Sequence, residues 1–375
     1  MVGAMSGTSA DGVDVALVRV GKNWPRPTVE LLRHHPLVYP AELKQRIFSL
    51  RGAGAVDLGE LGNLGRAISL VYAQAVNEIL AAAGVSAGQV DAIAAHGQTL
   101  YHAPPVTIQW FDPALLAAET GCAVVSDFRR ADCAADGQGA PLVPFADWVL
   151  FSHPEKSRIL LNLGGIANLT HVPAGGGLET LQAFDTGPAN CLSDWLCRTH
   201  DPAGSGFDAD GAGAMAGSAH FATAFTFARS SYVFARPPKS TDGPAMIEAY
   251  RQAKGQAEFH GSFQDELATA CLSAAHCVMM SLDLFVPRWR EGGVQEVLVS
   301  GGGVRNQCLM KDLREIILDK TKVTITQMDP VMAQAKEAVA FALLGAATLE
   351  GIAANVPSCT GAKRPVVLGS VTPQP

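Results

Sequence analysis

Several features that define common classes of protein are missing from this chain of 375 residues. Lysine and arginine do not occur in blocks, and the formal net charge of −7 disfavours binding to nucleic acid. No run of about 18 uncharged apolar residues is found, and the first residues, MVGAMSG, lack the pattern of a signal peptide. We therefore expect a cytoplasmic protein with neither a membrane span nor a nucleic-acid partner.

Metal and disulfide patterns are missing too. The eight cysteines include no CxxC pair, and the histidines show no HExxH spacing. Because the cysteines are scattered through apolar segments, we expect them to be reduced and buried. The first glycine-rich loop, SGTSADG, has no lysine, which excludes a P-loop of the GxxxxGK[ST] type.

Apolar residues and glycine are plentiful. Hydrophobic residues make up 48% of the chain and charged residues 17%, and the length suits two domains with sizeable cores. The 38 glycines fall largely in short clusters, which predicts many tight loops.

Two glycine- and hydroxyl-rich segments carry acids, residues 6–14 and residues 185–190. The first is predicted to be a hairpin whose amides and hydroxyls hold phosphates, with Asp11 and Asp14 near enough to hold Mg²⁺ through water. In the second, Asp185 precedes a predicted small-residue loop at a strand-to-helix junction, where it is a candidate general base. Ordinary glycine turns are the alternative interpretation of both segments.

Further candidates follow predicted strands. His96, Gln98 and Thr99 follow a strand at 90–95, at the end of the strand where α/β sheets bind ligands. His96 is either a structural histidine or a ligand donor. Arg129 and Arg130 follow a strand at 122–125 and suit either a carboxylate or phosphate of a ligand or an inter-domain salt bridge.

Three other segments leave their roles open. Glu337, in an alanine-rich helix at 331–349, is either an acid of the site or part of a solvated helix face. The basic loop 235–241 either reaches a cleft or lies on the surface. The glycines at 301–303 close an apolar strand and let a flat group approach the backbone.

Taken together, these segments resemble the anhydro-N-acetylmuramic acid kinase family. The matching segments are MSGTSADGVDVAL, AAHGQT, SDFRRAD, GQGAPLVP, LNLGGIANLT, FDTGPAN, PPKST, VSGGGVRN, KEAVAFA and PSCTGA. They occur in order from residue 5 to residue 362, so that the resemblance covers almost the whole chain.

The resemblance implies a fold and a reaction. The fold is the two-domain α/β ATPase fold of the actin/Hsp70/sugar-kinase type, which is ribonuclease H-like and binds ATP in a cleft between the domains. The first domain would comprise residues 1–133 and 356–375, and the second, with catalytic and nucleotide-binding segments, residues 134–355. The family uses ATP, Mg²⁺ and water to open the 1,6-anhydro ring of anhydro-N-acetylmuramic acid and to phosphorylate O6. The product, N-acetylmuramic acid 6-phosphate, belongs to cell-wall sugar recycling, and members often form homodimers.

The resemblance also implies residue roles. Asp185 would be the general base, and Thr99, Arg129 and Glu337 would line the sugar site. The resemblance implies no protein side chain that binds a metal ion directly. The residues expected to bind ATP are Gly7, Thr8, Ser9, Ala10, Asp11, Gly12, Val13, Asp14, Gly164, Gly165, Gly187, Gly301, Gly302, Gly303 and Asn306.

Three departures from the family pattern bear on the identity of the sugar. Ala189 replaces a glycine, Asp242-Gly243-Pro244 replaces Gly-Arg-Glu, and Trp110-Phe111 replaces Ile-Gly. Two alternatives stay open: a kinase of the same fold that acts on a smaller anhydro-sugar such as levoglucosan, and a non-catalytic ATPase module of the same superfold.

Overall fold

The computed structural model describes residues 1–319 and 321–375, and the chain forms two compact units. The first unit consists of Met1–Leu150 and Gln334–Pro375, and the second of Phe151–Ala333. Each contains one mixed β-sheet and several helices, which confirms the predicted α/β class.

The described residues contain the following strands and helices. The strands are β1 (Val2–Ser6), β2 (Gly12–Val20), β3 (Val29–Val38), β4 (Ile93–Ala103), β5 (Val106–Trp110), β6 (Val124–Ser126), β7 (Arg158–Leu163), β8 (Ile166–Val172), β9 (Gln182–Pro188), β10 (Glu296–Ser300), β11 (Thr324–Gln327) and β12 (Ser370–Thr372). The α-helices are α1 (Ala41–Arg51), α2 (Leu58–Ala83), α3 (Pro113–Thr120), α4 (Phe128–Ala134), α5 (Pro144–Phe151), α6 (Cys191–His200), α7 (Ala212–Met215), α8 (Phe221–Ala228), α9 (Ser231–Phe234), α10 (Gly243–Gln256), α11 (Phe263–Phe285), α12 (Gln307–Leu318), α13 (Pro330–Leu349) and α14 (Pro357–Thr360).

The sheet of the first unit has the order β12-β6-β4-β1-β2-β3, and β5 pairs with β4. Strands β1, β2 and β3 are antiparallel neighbours, whereas β4 runs parallel to β1 and β6 parallel to β4. Helix α2 contributes Ile68 and Val76 to the core that Val2 and Ala4 of β1 also enter. The helix begins at an Asp57 cap and ends at Gly84 in the left-handed conformation (φ 65°), two residue types that favour helix ends.

The sheet of the second unit repeats this design. Its order is β11-β10-β7-β8-β9, with β7, β8 and β9 antiparallel and with β10 and β11 parallel to β7. In both units, then, three antiparallel strands lead in chain order and two parallel strands follow on the far side of the first. This repeated topology is the ribonuclease H-like core of the actin/Hsp70/sugar-kinase fold, as expected from the sequence.

The units divide at other positions than residues 133 and 355. Most of α13 belongs to the first unit because two glycines let it pack directly on the sheet. A Cβ added to Gly3 would lie 1.8 Å from the Ala338 carbonyl oxygen, and one on Gly345 would lie 2.5 Å from Ala94 Cβ. The segment 136–141, which is rich in glycine, lies inside the first unit, where the Gln138 backbone amide donates to the Thr360 carbonyl at 2.8 Å.

Two strands extend further than their sequences predict. The segment His96-Gly97-Gln98-Thr99 lies within β4, since β4 continues beyond its pairing with β1 and pairs with β5. The segment Phe184–Pro188 was expected to be largely loop but lies in β9, so that only Ala189 and Asn190 separate that strand from α6. Pairing with the neighbouring strand outweighs the turn tendency of glycine and proline in both places.

One described helix, α11, is long and apolar enough by length and composition to cross a membrane. Of its most apolar window, 72% is buried inside the protein, and Ala274, Cys277 and Val278 belong to the core of the second unit. The burial is that of a core helix. All eight cysteines are free thiols, and six of them are buried.

Candidate active site

Asp185 is held in place by three hydrogen bonds. Its backbone amide donates to the Lys239 carbonyl at 3.2 Å, and its carbonyl accepts from the Tyr232 hydroxyl at 2.9 Å. The carboxylate itself accepts from the Thr241 amide, 3.0 Å from Oδ2. The segment that contains Lys239 and Thr241 therefore fixes both the strand position and the side chain of Asp185.

The surroundings of Asp185 make its carboxylate a stronger base than an exposed aspartate. Burial raises its pKa from 3.8 to about 6, and the Thr241 amide and the charge of Lys239 oppose that rise. A general base works best when its pKa lies near the operating pH. Asp185 is ionised near neutral pH and still basic enough to take a proton from water.

The basic loop 235–241 does not extend into solvent at Lys239. The Lys239 ammonium donates to the carbonyls of Tyr232 at 3.1 Å and of Val233 at 2.7 Å. It also lies 5.5 Å from the Phe184 ring centroid and 4.9 Å from that of Phe285. Burial lowers its pKa from 10.5 to about 8, although Cys277 and Asp185 favour the charged form. Lys239 is thus a partly desolvated cation beside the candidate base.

The first hairpin of the second unit turns at Gly164 and Gly165. The Asn190 amide donates to the Gly164 carbonyl at 3.0 Å, and the amides of Ala189 and Cys191 donate to the Gly165 carbonyl at 2.9 and 3.0 Å. These bonds tie the turn to the start of α6. By its place in the sheet, this turn, and not the segment after Asp185, is the counterpart of the loop between β1 and β2.

The remaining residues expected to bind nucleotide in the second unit have clear structural roles. Gly301 has φ 87°, and its added Cβ would lie 2.7 Å from the Leu163 carbonyl oxygen. Gly187 packs closely against Cys277, since an added Cβ on Gly187 would lie 3.1 Å from Cys277 Cβ. Asn306 is 6% exposed and caps α12 by accepting from the Leu309 amide at 3.0 Å. Its side chain is committed to the cap, and contact with a nucleotide stays a prediction.

The loop between β1 and β2 comprises residues 7–11. Thr8 and Ser9 are exposed, whereas the side chains of Ala10 and Val13 are buried in the core, so that only their backbones can face a ligand. Asp11 is paired with Lys44, and Asp14 lies 3.2 Å from His34. Gly12 is needed because an added Cβ would lie 2.2 Å from the Leu37 carbonyl oxygen of β3.

Arg51 and Gln98 connect this loop to Thr99. Arg51 donates through Nε to the Thr99 carbonyl at 2.8 Å and through Nη1 to the Thr8 carbonyl. Gln98 donates to the Gly7 carbonyl at 3.0 Å and accepts from the Ser6 hydroxyl at 2.7 Å. Arg51 was not predicted from the sequence, where it reads as an ordinary basic residue in the last turn of a helix.

Buried His96 and half-buried Arg129 form a hydrogen-bonded pair. The Arg129 Nε donates to His96 Nε2 at 2.9 Å, which leaves His96 Nδ1 to donate to the Gly97 carbonyl at 2.9 Å. Burial and the Arg129 charge hold the His96 pKa well below its usual range, so the ring is neutral. The structural interpretation of His96 therefore applies, and its function is to orient Arg129.

Glu337 lies near Arg129. Glu337 is an exposed residue, yet desolvation by the groups packed around its carboxyl raises its pKa, and the charges of Lys336 and Arg129 oppose that rise. Phe341, one turn further along α13, packs 4.8 Å from the His96 ring. The adjacent Lys336 forms an ion pair with buried Asp147 at 2.9 Å. The structure thus brings Arg129 and Glu337 together.

The departures from the family pattern have local structural explanations. Trp110 donates from Nε1 to the Leu61 carbonyl at 2.8 Å and occupies the space beside Gly65. Phe111 stacks on Tyr72, with 5.7 Å between ring centroids. Asp242 caps α10 by accepting from the Ala245 amide at 2.9 Å. Ala189 does not have a positive φ, so that no glycine is required there.

Both sheets thus place a turn or loop containing glycine between their first two strands, and the second sheet carries a fixed, basic carboxylate on its third strand. With this fold, that arrangement is the one expected of an ATP-dependent sugar kinase, and the family match supports the same class. The model of the family described as anhydro-N-acetylmuramic acid kinase matches residues 1–374. The chain belongs to this family.

Two relatives named anhydro-N-acetylmuramic acid kinase illustrate the match. The protein from Caldanaerobacter subterraneus subsp. tengcongensis is 35% identical over 386 residues, which cover 99% of this chain and 96% of that relative. The protein from Salinibacter ruber is 38% identical over 393 residues, with coverages of 99% and 96%.

Two solved structures illustrate a distant similarity. The ROK hexokinase from Thermus thermophilus is 16% identical, with a TM-score of 0.37 over 92% of this chain and 98% of that one. The activator of the 2-hydroxyisocaproyl-CoA dehydratase from Clostridium difficile, with bound ADPNP, is 13% identical, with a TM-score of 0.44 and 92% coverage of each chain. Similarities of this size add no argument to the family assignment.

Proposed function

We propose that this chain opens the 1,6-anhydro ring of anhydro-N-acetylmuramic acid with water and transfers the γ-phosphoryl group of ATP to O6. The products are N-acetylmuramic acid 6-phosphate and ADP. The observation that carries the proposal is Asp185, a carboxylate fixed by the Thr241 amide at 3.0 Å and with a pKa raised to about 6.

In the proposed reaction, Asp185 takes a proton from water as the water oxygen attacks C1 of the sugar. The C1–O6 bond breaks and its electron pair goes to O6. O6 then attacks the γ-phosphorus, and the bond from that phosphorus to the bridging oxygen breaks to release ADP. A single base is sufficient because O6 becomes nucleophilic only as the ring bond breaks.

Backbone groups of the glycine-containing turns would contact ATP. In the first unit, residues 7–14 would supply amides and the exposed hydroxyls of Thr8 and Ser9. In the second unit, Gly164, Gly165, Gly187 and the strip 301–303 with Asn306 would provide further contacts. Gly302 has no heavy atom within 4 Å of an added Cβ, which leaves room for a flat group to approach.

Mg²⁺ would enter with the phosphates of ATP. The described residues contain no group of three or more ligating side chains. Mg²⁺ needs only one or two carboxylates when substrate phosphates and water complete its shell. Asp11 and Asp14, which flank the loop of the first unit, fit that limited requirement, and bound Mg²⁺ would neutralise charge on the phosphates.

Thr99, Arg129 and Glu337 would contact the sugar. Arg129 is oriented by His96 and by donation to the Gly139 carbonyl at 2.8 Å, so that a rigid guanidinium faces its ligand. A cytoplasmic location would supply the ATP that the reaction consumes, and the homodimer stays an expectation from the family resemblance.

Product analysis in ¹⁸O-water tests the proposal. Purified protein, ATP, Mg²⁺ and anhydro-N-acetylmuramic acid should give ADP and a sugar 6-phosphate that carries one ¹⁸O at C1 and none in the phosphate. Early quenching with borohydride prevents later exchange at C1. ADP formation that does not depend on the sugar would favour a bare ATPase module, and faster turnover of levoglucosan would favour the smaller anhydro-sugar.

A further inference from the structure

The first unit contains a cavity of about 650 Å³ whose lining includes Leu100 and Arg130, the sequence neighbours of the predicted sugar residues Thr99 and Arg129. Its wall is largely apolar and includes Leu50, Val56, Ile108 and Trp110. The indole of Trp110 is fixed by its hydrogen bond to the Leu61 carbonyl. The replacement of Ile-Gly by Trp-Phe therefore builds a rigid wall and does not fill the cavity.

Three charged residues line this cavity: Arg51, Asp127 and Arg130. Arg130 donates from Nε to both carboxylate oxygens of Asp127 at 2.7 and 2.8 Å, so that these two charges compensate each other. The hydrogen-bond partners of Arg51 within the described residues are carbonyl oxygens of Thr8 and Thr99, which are neutral. The lining thus carries one uncompensated positive charge, at Arg51.

The guanidinium of Arg51 is suited to a further anionic partner. Three of its five N–H groups donate to the Thr8 and Thr99 carbonyls. Among the described residues, the other two N–H groups have no acceptor and can donate to a ligand. It also stacks 5.4 Å from the Phe48 ring centroid, which holds its plane in place. Partial burial lowers the pKa of Arg51, but an arginine stays charged at neutral pH.

An apolar wall with one cation matches a carboxylate on a short apolar group. We propose that Arg51 binds the carboxylate of the lactyl ether at C3 of the sugar, while the apolar wall beside Trp110 receives the lactyl methyl group. The inference rests on the proposed function and adds the residue that selects muramic sugars. Levoglucosan and anhydro-N-acetylglucosamine have no lactyl group and would leave Arg51 without its anion.

A pair of substrates isolates this contact. The ratio of kcat/KM for anhydro-N-acetylmuramic acid to that for anhydro-N-acetylglucosamine should fall by roughly 10- to 100-fold in Arg51→Gln, the cost of losing one charged hydrogen bond. Arg51→Lys should keep part of the ratio because it keeps the charge. Loss of the Thr8 and Thr99 contacts would slow both sugars alike and leave the ratio unchanged.

The matched control is Arg130→Gln, which removes a charge from the same cavity that Asp127 already compensates. This variant should keep the wild-type ratio, and a fall in Arg130→Gln but not in Arg51→Gln would overturn the inference.

The methyl ester of the lactyl group provides a test in the wild-type protein, since it should lower kcat/KM about as much as Arg51→Gln does. If the ester reacts as well as the acid, Arg51 does not bind the carboxylate. If the wild type phosphorylates no anhydro-sugar, the proposed function fails together with this inference.

Discussion

The backbone amide of Thr241 donates to the carboxylate of Asp185 at 3.0 Å, although the two residues are 56 positions apart. The same segment receives the Asp185 amide at the Lys239 carbonyl. Because one segment fixes both the backbone and the carboxylate of Asp185, the carboxylate keeps one orientation, which lowers the entropic cost of proton transfer from a water. The PPKST segment therefore positions Asp185, the proposed base.

The first prediction concerns this base. Asp185→Asn should lower kcat by roughly 10²- to 10⁴-fold, the usual contribution of general-base catalysis. The amide still accepts from Thr241, so ATP affinity should change little, as measured by calorimetric titration with a non-hydrolysable analogue. Asp194→Asn, which removes an acid from the adjacent helix α6, is the control and should keep most of the activity. Near-normal turnover by Asp185→Asn would remove Asp185 as the base.

The second prediction concerns pH and Lys239. Asp185 must be ionised to accept a proton, so kcat/KM should fall as the pH drops below its pKa of about 6. The charge of Lys239 lowers that pKa. In Lys239→Met the acid limb of the pH profile should therefore move to higher pH. Lys254→Met, which removes a lysine paired with Glu266 in the same unit, should leave the limb in place. An unmoved limb in Lys239→Met would show that Lys239 does not act on the base.

The third prediction uses two glycines of helix α2. A Cβ on Gly65 would lie 2.7 Å from Trp110 Nε1, whereas one on Gly62 would have no heavy atom within 4 Å. Gly65→Ala should lower the free energy of unfolding by about 1–3 kcal/mol, because the fixed indole must move. Gly62→Ala should raise it by about 0.5–1 kcal/mol through helix propensity. Chemical denaturation of both variants checks this, and equal effects would contradict the packing of Trp110 on Gly65.

These glycines illustrate how far sequence reasoning extends. The apolar periodicity, the Asp57 cap and Gly84 predict α2 almost to the residue. The glycines that recur every third residue in α2 suggest close packing of this helix. Gly65 does pack closely, against the Trp110 side chain of β5, whereas Gly62 has no neighbour within 4 Å of an added Cβ. A local sequence pattern can therefore indicate that a small residue is needed, but it does not identify the side chain that packs against that residue.

In the candidate site, too, some residues can be predicted from the sequence and others cannot. Asp185, Thr99, Arg129 and Glu337 can be selected from the sequence because polar or charged side chains are conspicuous beside apolar strands and helices, and because their segments resemble those of the family. Arg51 and Tyr232 cannot, since they act through backbone carbonyls that any residue provides. The counterpart of the loop between β1 and β2 is the turn at Gly164 and Gly165, and this correspondence follows from the pairing of the strands and not from the local sequence.

The last prediction follows from the cost of keeping Asp185 ionised inside the fold. Its pKa is about 6 in the folded protein and 3.8 when unperturbed, so the unfolded chain releases its proton first. As pH rises through that window the folded state loses stability relative to the unfolded state, and above it the penalty is constant. Asp185→Asn cannot ionise, so its gain in unfolding free energy over the wild type should grow from pH 4 to pH 6.5, about the span of these two pKa values, and then level off. Asp265→Asn is the control and should differ from the wild type by a nearly constant amount over this range, because hydrogen bonds from Ser218 and Ser262 lower the pKa of Asp265 in the fold and its own pH dependence therefore lies below about pH 4. Urea unfolding of the three proteins across this range measures the effect, and a pH-independent difference for Asp185→Asn would mean that its carboxylate is not desolvated.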